Sequence, residues 1–299
     1  MHGIAKREIT GRCLGRYITH LNKEQSRKFY HSPSFRKEIY KSYKYIHLNL
    51  SGDVTIKHYC HYPRVISVDL SNTQVIYIPD NMDGVIYLNL SKCPISDISN
   101  IQFIKSLIEL DLSHCEYLVD ASFAKHVSIL NLAFCIRVLD FSMLGRVRNL
   151  NVSCTRINDC RGSLCNVSKL DMSGCQYIRD VSMLKCQYLN LSYCYNITDF
   201  SMLGDIPELI LNYTNINTLE GLGTVRHLSI IDCKSITDFS PVYNVDILNV
   251  SWCLQITDIR PFRNKVLIKE YCYNIKYDQT ENSQATDPYI RALNRLILN

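Results

Sequence analysis

Twelve copies of a short apolar core, Leu-x-Leu or a close variant, recur along the 299-residue chain at spacings of 19 to 22 residues. Their first residues are Leu48, Val68, Leu88, Leu110, Leu130, Leu150, Leu170, Leu189, Leu209, Leu228, Leu248 and Leu267. A period this short admits few folds, because one copy cannot bury its own apolar side chains and must share a core with its neighbours. The alternation in Leu-Asn-Leu predicts a short strand with two residues inward and one outward. Three residues earlier stands a further apolar slot, as in Val85, Leu107, Val127 and Ile206. Five residues after the first Leu comes Cys or Thr in every copy but the first, which has Asp53. A thiol or hydroxyl there is expected to turn inward and bond backbone groups of a buried turn. An Asp-x-Ser element follows, as in Asp180-Val181-Ser182 and Asp199-Phe200-Ser201, and suits the cap of a short turn or 3₁₀ segment. Such a repeat leaves no room for a full outer α-helix.

The fourteen cysteines find their explanation in this period. Eight occupy the slot five residues into the copy (Cys93, Cys115, Cys135, Cys175, Cys194, Cys233, Cys253 and Cys272), and Cys186 fills an apolar slot. Cys13, Cys60, Cys154, Cys160 and Cys165 are left over, and neither they nor the cluster His58, Cys60, His61 has the paired C-x-x-C spacing of a zinc site. No Gly-rich phosphate loop, serine elbow or His-Glu-x-x-His motif occurs. No catalysis, metal or cofactor is therefore expected. The opening residues carry charges without a following apolar stretch, so they do not read as a secretory signal, and reduced thiols in a cytoplasmic compartment are the expectation. No apolar run reaches the roughly 18 residues of a spanning helix, and no membrane association is expected.

The net charge of +5 is unevenly spread. Residues 1–45 hold eleven Lys and Arg against three Glu, a head of +8, and the remainder carries 22 basic and 25 acidic residues, or −3. A solvated helical head explains this better than nucleic-acid binding, since the repeats have no basic field. Around Ser32-Pro33, Ile18, Leu21, Phe29, Phe35 and Ile39 show weak helical patterning, and a helical cap over 1–45 is expected. At the other end, Asp287-Pro288 precedes Tyr289, Ile290, Leu293, Leu296 and Ile297 at helical spacing, so residues 278–299 read as a polar loop and a capping helix.

What remains for function is a surface. The residue between the two Leu is Asn or Asp in nine copies, a uniformity that points to a structural role. The residue before the Cys/Thr slot varies: Gly52, Asn72, Lys92, His114, Phe134, Cys154, Gly174, Tyr193, Tyr213, Asp232, Trp252 and Tyr271. Five of these twelve are aromatic where the 10% background predicts about one, and four of the five fall in the last five copies. Phe134, Tyr193, Tyr213, Asp232, Trp252 and Tyr271 are accordingly the candidate partner-binding residues, with aromatic stacking between strands as the competing explanation. Ile210, Ser229 and Ile268 interrupt the polar middle column, which predicts a less polar surface at this end.

Over residues 43–277 the pattern Val-x-x-Leu-Asn-Leu-Ser-x-Cys-x-x-Ile resembles the leucine-rich-repeat family. The resemblance implies an α/β solenoid over 46–277: a superhelix with a parallel sheet on the concave face, short turns or 3₁₀ segments on the convex face, and helical end caps. It also implies a protein partner on the concave face. In the head, Leu21-Asn22-Lys23-Glu24, Ser26-Arg27-Lys28-Phe29-Tyr30 and Ser32-Pro33-Ser34-Phe35-Arg36 look like the closing half of a degenerate F-box, although the Leu-Pro opening is missing and Lys6-Arg7-Glu8 stands in its place. That resemblance implies docking of the Skp adaptor of a cullin-RING ubiquitin ligase through Leu21, Phe29, Tyr30, Pro33 and Phe35, with the repeats holding substrate. A plain scaffold or inhibitor whose head only caps the repeats is the alternative. The richness in Tyr, Ile, Asn and Lys is similar to leucine-rich-repeat proteins of giant viruses, which implies the cytoplasm of a host cell.

Overall fold

The computed structural model describes residues 17–160, 162–262 and 265–276. The Lys6-Arg7-Glu8 run, Cys13 and the capping helix expected over 278–299 lie outside the described residues. The chain divides into two compact units after Thr155.

In the first unit seven strands pair in sequence order, all parallel: β1 (Ile18–His20), β2 (Tyr45–Asn49), β3 (Val65–Asp69), β4 (Tyr87–Asn89), β5 (Glu109–Asp111), β6 (Ile129–Asn131) and β7 (Asn149–Asn151). The register sets Leu on Leu, as in Leu88 opposite Leu110 and Leu130 opposite Leu150, so each Leu-x-Leu core buries both leucines between neighbours. The opposite wall is made of 3₁₀ segments at Ser99–Phe103, Ser122–Ala124 and Ser142–Leu144. Each starts at a Ser whose N–H donates to the Asp carboxylate two residues earlier, at 2.7 Å for Asp97 and 2.8 Å for Asp120 and Asp140. One side chain per segment, Ile101, Ala124 or Leu144, closes the core.

The head belongs to this unit and contains two helices, α1 (Lys23–His31) and α2 (Pro33–Ser42). Asn22 starts α1 with a reciprocal capping box to Gln25, and Ser32 caps α2 ahead of Pro33, which needs no hydrogen bond at the first helical position. The helical reading of Ile18 is corrected: it lies in β1, a strand of three residues, too short to show a period of two, and β1 pairs with β2.

In the second unit six parallel strands follow the same order: β8 (Lys169–Asp171), β9 (Tyr188–Asn190), β10 (Glu208–Ile210), β11 (His227–Ser229), β12 (Ile247–Asn249) and β13 (Val266–Ile268). Its wall uses Ser163–Asn166, Ser201–Leu203, Ser240–Val242 and Arg260–Phe262. Successive wall turns approach so closely that a Cβ on Gly221, at φ +82°, would strike the Ser201 carbonyl.

The Cys/Thr slot ties repeat to repeat. Its N–H closes the turn on its own repeat, as Cys135 N–H does to the Leu132 carbonyl at 3.0 Å. The thiol reaches the preceding repeat instead: Cys93 Sγ donates to the Leu70 carbonyl at 3.1 Å, Cys135 to Leu112 at 3.0 Å, Cys194 to Met172 at 3.2 Å and Cys253 to Ile230 at 3.1 Å. Thr73 and Thr214 have shorter side chains and donate to their own Leu70 and Leu211 carbonyls, both at 2.7 Å. Burial pushes the Cys135, Cys194 and Cys253 thiols up to about 12. The exception, Asp53, faces α1, where its carboxylate meets Arg27 at 2.8 Å and takes the Thr55 hydroxyl at 2.6 Å. The Thr55 bond, with the Arg27 charge assisting, holds its pKa below the usual carboxylate range against the opposing effect of burial.

Candidate functional site

The variable column has a backbone property that its residue types conceal. All twelve positions, from Gly52 to Tyr271, lie in the left-handed region, with φ between +54° and +71°. Each lies three residues past the end of its strand, in the turn that leads into the Cys/Thr slot. The same geometry aims each N–H at the next repeat, so Phe134 donates to the Ser153 carbonyl at 2.9 Å, Tyr213 to Ile231 at 2.8 Å and Trp252 to Glu270 at 2.9 Å. Ten of these exit turns thus each add one rung to the ladder beyond the strands. Gly, Asn and Asp tolerate this conformation, whereas bulky side chains are strained in it by about 1 kcal/mol or more. Gly52, Asn72, Gly174 and Asp232 in the column were the signal from which the left-handed turn could have been read.

In the second unit the column carries an aromatic row in which Tyr193, Trp252 and Tyr271 are exposed and Tyr213 is half-buried. Tyr193 and Tyr213 stack with centroids 4.6 Å apart and planes 4° from parallel, and Trp252 and Tyr271 stack at 4.3 Å and 22°. Tyr193 and Trp252 each remain 44% exposed. Between the two stacks stands Asp232, whose carboxylate contacts the ammonium of Lys234 at 3.2 Å. Two residues further along the chain, Tyr195, Leu254 and Tyr273 form a second exposed row that the sequence reading missed. Tyr195 meets Tyr193 edge to face at 6.4 Å, and Tyr273 meets Tyr271 likewise at 6.2 Å. Asn215 and Asn274 of the following repeats pin this second row by donating to the Tyr195 and Leu254 carbonyls at 3.0 and 2.7 Å. In the first unit Phe134 stacks on His114 at 4.3 Å and 9°, a separate and smaller aromatic surface.

The polar middle column is structural. Asn or Asp Oδ1 accepts the N–H two residues on, at 2.9 Å for Asp69 to Ser71 and 3.0 Å for Asn190 to Ser192. Where Ser229 replaces Asn, Asn212 of the previous repeat takes over and accepts both the Ile231 N–H at 2.9 Å and the Ser229 hydroxyl at 2.7 Å. The expectation of a less polar surface at Ile210, Ser229 and Ile268 is corrected: all three are buried.

The sequence matches no protein-family model and no curated protein. Among solved structures it is similar to an internalin (inlF) from Listeria monocytogenes, at 17% identity and a TM-score of 0.56, with 82% of each chain covered. The fold is a leucine-rich-repeat solenoid. A second internalin of that organism, inlC2, is 20% identical over 56% of this chain and 71% of its own, with a TM-score of 0.40. The functional domain of InlJ, also from Listeria monocytogenes and described as including a cysteine ladder, is 14% identical over 79% of this chain and 49% of its own, with a TM-score of 0.40.

At the start of the leucine-rich-repeat sheet, the head residues expected to dock an adaptor are placed differently from expectation. Leu21 and Phe29 are buried, Phe29 completely, between the helices and the first repeat. Phe29 meets Tyr40 and Tyr62 edge to face at 5.7 and 5.8 Å. Tyr30 is half-buried and joined to the repeat by its hydroxyl, which donates to the His58 carbonyl at 2.9 Å and accepts the Cys60 N–H at 3.0 Å. Arg36 locks the two helices together, donating to the Phe29 and Tyr30 carbonyls at 2.7 Å each while lying 4.3 Å over the Tyr62 ring. Pro33 is exposed and Phe35 half-buried. Among the described residues no group of three His, Cys, Asp or Glu side chains is arranged to hold a metal, and no helix is long and apolar enough to cross a membrane.

Proposed function

We propose that the chain is a non-catalytic protein-binding module whose partner is seated on the aromatic row of the second unit, on Tyr193, Tyr213, Asp232, Trp252 and Tyr271, with Phe134 as a separate contact in the first. The observation that carries this reading is the placement of large aromatic side chains at left-handed positions. Four of them cost about 4 kcal/mol in backbone strain. Two stacked pairs return about 0.5–1.5 kcal/mol each. Stacking alone therefore does not account for them, and Gly or Asn, used elsewhere in the column, would serve the fold better. Exposed aromatic residues on a pre-ordered surface are the usual anchors of a protein interface.

The test is a full-length variant with Tyr193→Gly, Tyr213→Gly and Trp252→Gly. Glycine relieves the strain that alanine would keep. The variant is expected to hold its unfolding midpoint and to lose the protein that co-purifies with wild type. Retention of that protein would sink the reading, and a collapse of the midpoint would make the row structural.

For the head, capping is the reading we favour over adaptor docking, because Leu21, Phe29 and Tyr30 are engaged with the first repeat. Only Pro33 and Phe35 are left for an adaptor, so full-length protein is expected not to co-precipitate the Skp adaptor; recovery that depends on residues 17–44 would restore the ubiquitin-ligase role. The compartment we propose is a reducing cytoplasm, that of a host cell if the chain is viral. None of the thirteen described cysteines is joined in a disulfide, which fits that setting.

A further inference from the structure

Resting on the docking reading above, we infer that the partner segment is extended and carries an arginine, whose guanidinium enters a notch in the row with Asp232 as its floor and the rings of Tyr213 and Trp252 as its walls. The ring orientation supplies the walls. In both stacks the centroid separations, 4.6 and 4.3 Å, approximate the rung spacing of about 4.8 Å. The planes are close to parallel as well, so the ring faces look along the row. Tyr213 therefore turns a face toward the Asp232 rung from one side and Trp252 from the other. The backbone ladder confirms that the three are consecutive: Tyr213 N–H donates to Ile231, and Asp232 N–H donates to Ser251. The Asp side chain is shorter than its neighbours, which leaves a gap of two rungs, about 10 Å, between the wall rings.

Charge and shape then select the occupant. The Asp232 carboxylate caps no turn of its own, unlike the middle-column Asp residues, and its partner among the described residues is the ammonium of Lys234. That side chain is 73% exposed and meets a single carboxylate oxygen, so it is a weak competitor. A planar guanidinium can bind the carboxylate with two parallel bonds and lie against an aromatic face at the same time. An acidic segment would meet repulsion on the same floor. From Tyr193 to Tyr271 the row spans about 19 Å, the length of about six extended residues.

A random peptide library displayed on phage, selected against the full-length chain, tests this, with Trp252, the only Trp of the sequence, as an internal fluorescence reporter for the selected peptides. Arginine is expected to be enriched at one position. Asp232→Asn should weaken those peptides by roughly tenfold or more, and Lys234→Ala should tighten them. Asp232→Lys should redirect selection toward acidic peptides; Asp232→Asn and Lys234→Ala should melt like wild type, and Asp232→Lys slightly lower because it places a long side chain at a left-handed position. Peptides that need Tyr213 and Trp252 but not Asp232 would overturn the arginine inference and leave the docking surface standing. Selection of nothing that depends on the row would overturn both, as would Trp252-dependent self-association, which would assign the row to a second copy of the chain.

Discussion

A left-handed residue at the strand exit does two things at once: its N–H extends the sheet, and its side chain is turned outward. The first is a demand on the backbone and the second leaves the side chain open to choice. That is why the column looked variable in the sequence while being among the most constrained in conformation. Aromatic residue types carry no sign of positive φ, so this constraint was legible only from Gly52, Asn72, Gly174 and Asp232. Tyr213→Gly is expected to change stability by less than about 1 kcal/mol, since relief of strain offsets the greater freedom of the unfolded chain. Tyr213→Ala, which keeps the strain and loses the stack on Tyr193, should be less stable than Tyr213→Gly, as read by urea unfolding. The opposite order would mean that the turn does not strain its side chain.

At the scale of elements, the strands and 3₁₀ segments were legible because a period of about twenty residues repeats the Leu-x-Leu core twelve times and its accompanying signals in most copies. β1 was not, because it stands alone at the start and has only Ile18 and Leu21 to announce it. The partner of the buried thiol was also hidden, since sequence says that a Cys turns inward but not which carbonyl it meets. The thiol ladder makes the repeats sensitive to alkali. In the unfolded chain these thiols ionise near their ordinary value of about 9, whereas Cys135, Cys194 and Cys253 keep their protons up to about 12. Stability is therefore fully present below about pH 9 and is lost between pH 9 and 12, by about 1.4 kcal/mol per pH unit for each such thiol. Unfolding midpoints measured across that range should fall steeply, and replacing one ladder Cys by Ser should flatten the slope by one thiol's share. A flat profile to pH 11 would contradict the burial of the ladder.

For the molecule as a whole, the head packs on the first repeats through the buried Phe29 and the Arg27–Asp53 ion pair. Its resemblance to a docking module rested on residue types that serve equally well for covering an exposed core, and sequence alone does not separate the two uses. Phe29→Ala is expected to cost about 3–5 kcal/mol, and Phe35→Ala far less, in urea unfolding followed by circular dichroism. Equal losses would contradict the difference in their burial. The substitution of Asn212 for a missing neighbour shows that the face tolerates irregular repeats when a polar group lies within reach. The exit turns carry a consequence for how such a chain can change. Because the rung is made by an amide that every residue except proline possesses, each repeat offers one outward side chain that can be exchanged without altering hydrogen bonding in the sheet. A lineage, or an engineer, can therefore rewrite the recognised sequence one rung at a time while the scaffold stays the same.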